Sequence, residues 1–213
     1  MAHNGLVSET PGSIKAMEYL EDIVKVSGHV ADDPGLRDSF SELSRAPIRI
    51  ICCALDKGIN HGNMLRIAEC FRLEEVCFSP VSRRKEKDFS GGFAALHWQP
   101  YRWVEPTEAV KEAREAGCRA YCMHLAENAT PLRSVSWAHP AALVFGQEWF
   151  GVDPEVAELC DESIAIPLYG VIQSLNVAVT AALAVESCFE AYRVKNPDFE
   201  PARAVSKAVL KNG

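Results

Sequence analysis

The chain has 213 residues, 48% of them hydrophobic and 24% charged, a globular composition that allows one well-filled domain with or without an appendage and leaves no room for two full domains. A net charge of -7 argues against coating nucleic acid through the overall field, although a local basic patch is compatible with it. No apolar run is long enough to cross a bilayer, and residues 1–10 lack the basic-then-apolar order of a secretory signal, so a cytoplasmic protein with no membrane partner is expected.

Ile14, Met17, Leu20, Ile23 and Val24 recur at helical spacing, and Asp33-Pro34 opens a second short helix that runs to about Ser44. Together they predict a helical N-terminal appendage over residues 1–46. From Ile48 the pattern changes to short strands: "IRIICCAL", "EVCFSP", "YRWV", "RAYCMHL", "AALVFG" and "SIAIP". Helical stretches near Gly62–Phe71, Pro106–Ala116 and Pro154–Cys160 separate most of them. This alternation predicts an α/β fold over 47–194, a parallel sheet covered by helices on both faces. A long helix from about Ser174 to Val194 follows, and a further helical segment near Ala202–Leu210 lies in a tail spanning 195–213.

The eight cysteines sit mostly inside apolar runs and none forms a CxxC pair, so buried free thiols are expected rather than disulfides or a metal site. The segment "VSRRKEKDFSGG" holds the densest basic cluster of an acidic chain, in Arg83, Arg84, Lys85 and Lys87. It reads either as a solvated loop or as a loop that contacts phosphates, with Arg83, Arg84 and Lys85 the candidates for that contact.

Three polar, glycine-bearing loops follow predicted strand ends, where ligands bind in open α/β sheets. In "DKGINHGNMLRIAECF" Asn60, Gly62 and Asn63 fall before the helix and Arg66 about one turn inside it. Asn60 could cap that helix while Arg66 pairs with Glu69 or Glu74. Alternatively, Gly62 allows a close backbone approach while Asn60 and Arg66 face a ligand. In "LVFGQEWFGVDPEV" Gly146 ends a buried strand, Glu148 follows, and Gly151 precedes a helix opened by Asp153-Pro154. In "IAIPLYGVIQSLNVAV" a loop around Gly170 carries unused backbone groups that could hold an adenine edge, and Ser174 and Asn176 could cap the next helix or serve a site.

In this order and spacing the three segments resemble the SpoU branch of the SPOUT methyltransferases, the TrmH family, over about Ile48–Tyr192. "NHGNMLR" is similar to the family's NxGxxxR, "LVFGQEWFGV" to its strand followed by GxExxG, and "IPLYGVIQSLNVAVTAAL" to its IPxxGxxxSLNVxxAxxI. The resemblance implies S-adenosylmethionine as methyl donor, an RNA ribose 2'-hydroxyl as acceptor, a homodimer and a C-terminal deep trefoil knot. By motif position it implies catalytic roles for Asn60, Arg66, Glu148, Ser174 and Asn176. It likewise implies cofactor-binding roles for Gly146, Ile166, Leu168, Gly170, Ser174, Leu175 and Asn176. Ile67 and Arg72 stand where relatives usually have Thr and Gly, and "FSGGFAALHW" matches its counterpart loosely.

Methyl transfer from a sulfonium is an in-line displacement in which positioning supplies much of the rate. Family proposals make the first-motif arginine the base. A guanidinium is a poor base unless strongly perturbed, so Arg66 is expected to be either base or phosphate clamp. The short appendage, the lack of a separate RNA-binding module and Trp98 favour tRNA over rRNA as substrate. An rRNA methyltransferase, or an inactive homologue that only binds RNA, is the alternative.

Overall fold

A computed structural model describes residues 44–199, apart from 90, 91, 93, 94 and 97. The expected N-terminal helices and the helical segment near Ala202–Leu210 lie outside the described residues. The elements run β1 (Ala46–Cys52), α1 (Gly58–Cys70), β2 (Leu73–Phe78), β3 (Tyr101–Trp103), α2 (Pro106–Glu115), β4 (Arg119–Met123), β5 (Thr130–Pro131), β6 (Ala141–Phe145), α3 (Pro154–Ala157), β7 (Glu162–Ala165) and α4 (Val177–Lys195). Every strand pair is parallel, in the order β3-β2-β1-β6-β4-β7-β5.

The continuous apolar runs follow from burial on both faces. Ile48, Ile50 and Cys52 of β1 and Leu143 and Phe145 of β6 pack on one side with α1 and α4. Ile51, Cys53, Ala142 and Val144 alternate to the other side, against α2 and α3. The α/β sheet covered on both faces is therefore present. Helix α4 buries Val177, Ala178, Ala181, Ala184, Val185 and Cys188, a helical stripe in which a side chain such as Val185 contributes roughly 1.5–3 kcal/mol. No helix among the described residues is long and apolar enough to cross a membrane.

Helix ends explain two features of the sequence. Pro106 opens α2, and Gly117, at φ 84°, ends it in a Schellman turn, its N–H bonding Arg114 O at 2.9 Å and the Cys118 N–H bonding Ala113 O at 2.9 Å. At the end of α1 the equivalent left-handed residue is Arg72, at φ 48°, where a glycine would be unstrained. Its Nε donates to Ser44 O at 3.1 Å, so a side-chain contact accompanies the backbone cost.

Several expectations need correction. Helix α1 starts at Gly58, so Asn60, Gly62 and Asn63 lie inside it and not in a loop; its N-cap is Lys57, without a side-chain bond, and Asn60 does not cap it. Arg66 pairs with neither Glu69 nor Glu74: Glu74 is held by Arg49 at 2.7 Å. The long helix α4 begins at Val177, after Asn176. Strand β5, two residues long, is too short to leave a periodic signal. The basic segment, expected as a loop, contains short 3-10 turns at Pro80–Ser82 and Glu86–Asp88.

Candidate active site

Because all strands are parallel, the loops after β1, β4, β6 and β7 meet at one edge of the sheet. After β1 the chain turns into α1 on one face, and after neighbouring β6 it turns toward α3 on the other. Connections that diverge from adjacent strands leave a crevice, the usual ligand site of such sheets.

A directed hydrogen-bond chain closes this crevice. Glu148 accepts from the Asp56 N–H at 3.1 Å through Oε2 and from Asn60 Nδ2 through Oε1. Asn60 Oδ1 accepts from Asn176 Nδ2 at 3.2 Å. Asn176 Oδ1 then accepts from the amides of Ala178 at 2.9 Å and Val179 at 3.4 Å, capping α4. An ionised carboxylate only accepts, so Glu148 fixes the orientation of both amides. Asn176 is thus a helix cap and a member of this chain at once, while Ser174 is exposed and caps nothing.

The loop that carries Glu148 is a tight hairpin. Gln147 and Gly151 exchange backbone bonds at 2.9 and 3.0 Å, with Gly151 at φ 73°. A Cβ on Gly146 would run into the backbone of Gly151 and Val152, so both glycines of GxExxG are needed by the fold-back itself. Trp149 and Phe150, 81% and 82% exposed, stand at its tip.

Beside this hairpin lies a cavity of about 390 Å³. Of the expected cofactor residues, Gly146, Ile166, Leu168, Ser174 and Leu175 line it, as does Glu148; Gly170 does not, and Asn176 stands between the lining residues Leu175 and Val177. Met123 at the end of β4 and His124 and Leu125 just after it also line it and were missed, although their place at the end of a parallel strand was the signal that could have found them. No hydrogen bond ties residues 168–175 to another described residue, which leaves their backbone groups open to a ligand.

Arg66 is exposed on α1, lies outside the cavity lining and makes no hydrogen bond or ion pair with any described residue. Arg84 Nη2 donates to Asp56 O at 2.9 Å, which links the basic segment to the residue whose N–H holds Glu148. Arg83 lies over the Trp103 ring at 5.8 Å, and Lys85 is exposed. All eight cysteines are free. Burial raises the Cys52 thiol well above its ordinary value and pushes Cys53 up to about 12, so neither is a ready nucleophile.

A fully parallel open sheet with a polar-rimmed cavity at its carboxyl edge defines an α/β protein built to bind a small molecule. The chain belongs to the SpoU rRNA Methylase family, which residues 47–186 match. It is 42% identical over 106 residues to a tRNA (guanosine(18)-2'-O)-methyltransferase of Thermus thermophilus, covering 49% of this chain and 52% of that one. It is 36% identical over 143 residues to the enzyme of the same name from Escherichia coli strain K12, covering 65% of this chain and 62% of that one. The chain thus spans 52% and 62% of the length of these two relatives. The crystal structure of an A. aeolicus TrmH/SpoU tRNA modifying enzyme shares the fold with a TM-score of 0.66 at 22% identity, over 84% of this chain and 92% of that one.

Proposed function

We propose that the chain is an S-adenosylmethionine-dependent RNA ribose 2'-O-methyltransferase that acts on tRNA, as a homodimer, in the cytoplasm. The observation that carries this reading is the meeting of three distant segments: Asn60, Glu148 and Asn176 form one hydrogen-bonded chain beside a single cavity. The cavity suits the cofactor. Phe145, Ile164, Ile166, Leu168, Leu175 and Val177 offer apolar walls for an adenine ring, and the unpaired backbone of 168–175 offers donors and acceptors for its edge. When bound, S-adenosylmethionine supplies an electrophilic methyl group on a sulfonium.

The chain's own residues then position and orient. Glu148, Asn60 and Asn176 hold the hairpin, α1 and the start of α4 in register, Gly146 lets the hairpin close, and Ser174 presents a free hydroxyl to the cavity. Arg66, an exposed cation with no ionic partner among the described residues, is assigned as the clamp on a phosphate of the target nucleotide rather than as the base. Arg83, Arg84 and Lys85 are assigned to further phosphates of the RNA backbone.

A homodimer is supported by what stays uncovered. Residues 167–176 are all exposed and include Tyr169 at 98% and Val171 at 99%, with Ile59, Val179 and Leu183 exposed on α1 and α4. Arg66 lies outside its own chain's cavity, as expected if it serves the partner's. The trefoil knot belongs to the same reading: β7 lies beyond β4 from β6, whereas α4 packs against α1, β1 and β6, so the chain recrosses the sheet between them. The tRNA assignment follows the names of the two relatives.

Titration calorimetry with S-adenosylhomocysteine tests the cofactor site: saturable binding is expected, and no binding with or without RNA would refute the reading. Mapping ribose methylation in cells that lack the protein tests the substrate. Loss confined to an rRNA position would replace tRNA with rRNA.

A further inference from the structure

Helix α1 carries one buried ionisable side chain that the reaction above does not use. His61, between Asn60 and Gly62, is fully buried in an aromatic box: its ring stacks on Phe89 at 5.4 Å and 17° and tilts against Phe78 at 4.9 Å and Trp103 at 5.8 Å. Nδ1 lies 3.1 Å from Lys57 O, which only accepts, so Nδ1 carries a proton. Nε2 lies 3.2 Å from the buried Ser82 Oγ. With the ring neutral, Nε2 is an acceptor, so the one Ser82 hydroxyl hydrogen is shared between Nε2 and Ser79 O, 3.0 Å away at the start of the basic segment.

The contacts of that segment converge on the same place. Arg83 lies over Trp103, a wall of the His61 box. Arg84 is held by Asp56 O, one residue before the Lys57 that anchors Nδ1. Phe89, stacked on His61, closes the far end of the segment. We infer that His61 is a positioning residue that fastens residues 79–89 to the catalytic helix through Ser82, and so presents Arg83, Arg84 and Lys85 to RNA in a fixed array. Flexible basic side chains lose conformational freedom on binding, and a segment fastened beforehand loses less. The inference rests on the reading that these three residues meet RNA phosphates.

The test uses the full-length protein and three variants: His61→Phe, which keeps a ring in the box and removes both hydrogen bonds; Ser82→Ala, which cuts the same link from the other side together with the local bond to Ser79 O; and the pair together. Trypsin cleavage after Arg83, Arg84 or Lys85 reads the fastening without RNA. Both single variants are expected to be cut faster there than the parent, and the double variant no faster than the worse single one, because the His61–Ser82 link is lost in all three. RNA affinity is expected to fall about threefold to tenfold, with KM for RNA raised, kcat retained and S-adenosylhomocysteine affinity unchanged. Unchanged cleavage in a folded Ser82→Ala protein would overturn the fastening, as would additive effects in the double variant. If neutralising Arg83, Arg84 and Lys85 leaves RNA binding intact while both variants loosen the segment, the RNA reading fails and the fastening stands.

Discussion

Asn60→Asp is the sharpest perturbation of the candidate site, because it changes one nitrogen to oxygen at a position only 1% exposed. The wild-type amide gives Nδ2 to Glu148 and Oδ1 to Asn176. An aspartate keeps the second bond and turns the first into two carboxylates facing each other. A buried charge without compensation costs about 3–5 kcal/mol, which in a chain of this size lowers the melting temperature by roughly 6–20 °C. The pH dependence carries the sign. Mutual repulsion raises the folded-state pKa of the carboxylate pair above the unfolded value, so the variant's deficit is small in acid, where one proton is shared, and grows as pH rises through the folded pKa. Melting of variant and parent side by side at pH 5 and pH 8 measures the difference, and the deficit is expected to be clearly larger at pH 8. A deficit below about 1 kcal/mol that does not change with pH would refute the placement of Asn60 against Glu148.

Neutralising Arg83, Arg84 and Lys85 together is expected to weaken RNA binding and flatten its salt dependence by up to roughly 0.7–0.9 in slope per lost contact, with cofactor affinity unchanged. If Arg66 is a clamp, Arg66→Lys lowers transfer but leaves the shape of the pH–rate profile unchanged; a shifted alkaline limb would restore the base. Val179→Glu with Leu183→Glu, on the exposed side of α4, is expected to shift the protein to monomer in light scattering and to abolish transfer. For His61, burial foremost and then Arg84 lower the folded pKa against opposing effects from the Lys57 carbonyl and Glu148. Its contribution is therefore complete above the unfolded value of about 6.5 and lost as pH falls through the folded pKa, so the stability gap between parent and His61→Phe is expected to narrow between pH 7.5 and pH 5.

The sheet was legible because strands buried on both faces leave continuous apolar runs, and β1 and β6 both do. The start of α1 was not, because its first two turns bury Asn60, His61 and Gly62 in place of an apolar stripe, and Lys57 carries no capping bond to mark the end. The three glycine-bearing segments announced themselves by composition and position, although the first proves to be the start of α1 and not a loop. What joins them did not: the Asn60–Glu148 and Asn60–Asn176 bonds span 88 and 116 residues, beyond any local pattern. Arg72, which stands where relatives usually have Gly, occupies a left-handed helix end, the position glycine suits best.

The most direct test of the proposed activity is transfer of a labelled methyl group from S-adenosylmethionine to an unmodified tRNA transcript, followed by alkaline hydrolysis. Methylation of the ribose 2'-oxygen blocks cleavage at that nucleotide, so the label is expected in an alkali-resistant dinucleotide, and Asn60→Asp is expected to abolish it. Label released in mononucleotides would place the methyl group on a base, and a dimer that binds the cofactor yet labels neither tRNA nor rRNA would contradict the assignment as a ribose methyltransferase.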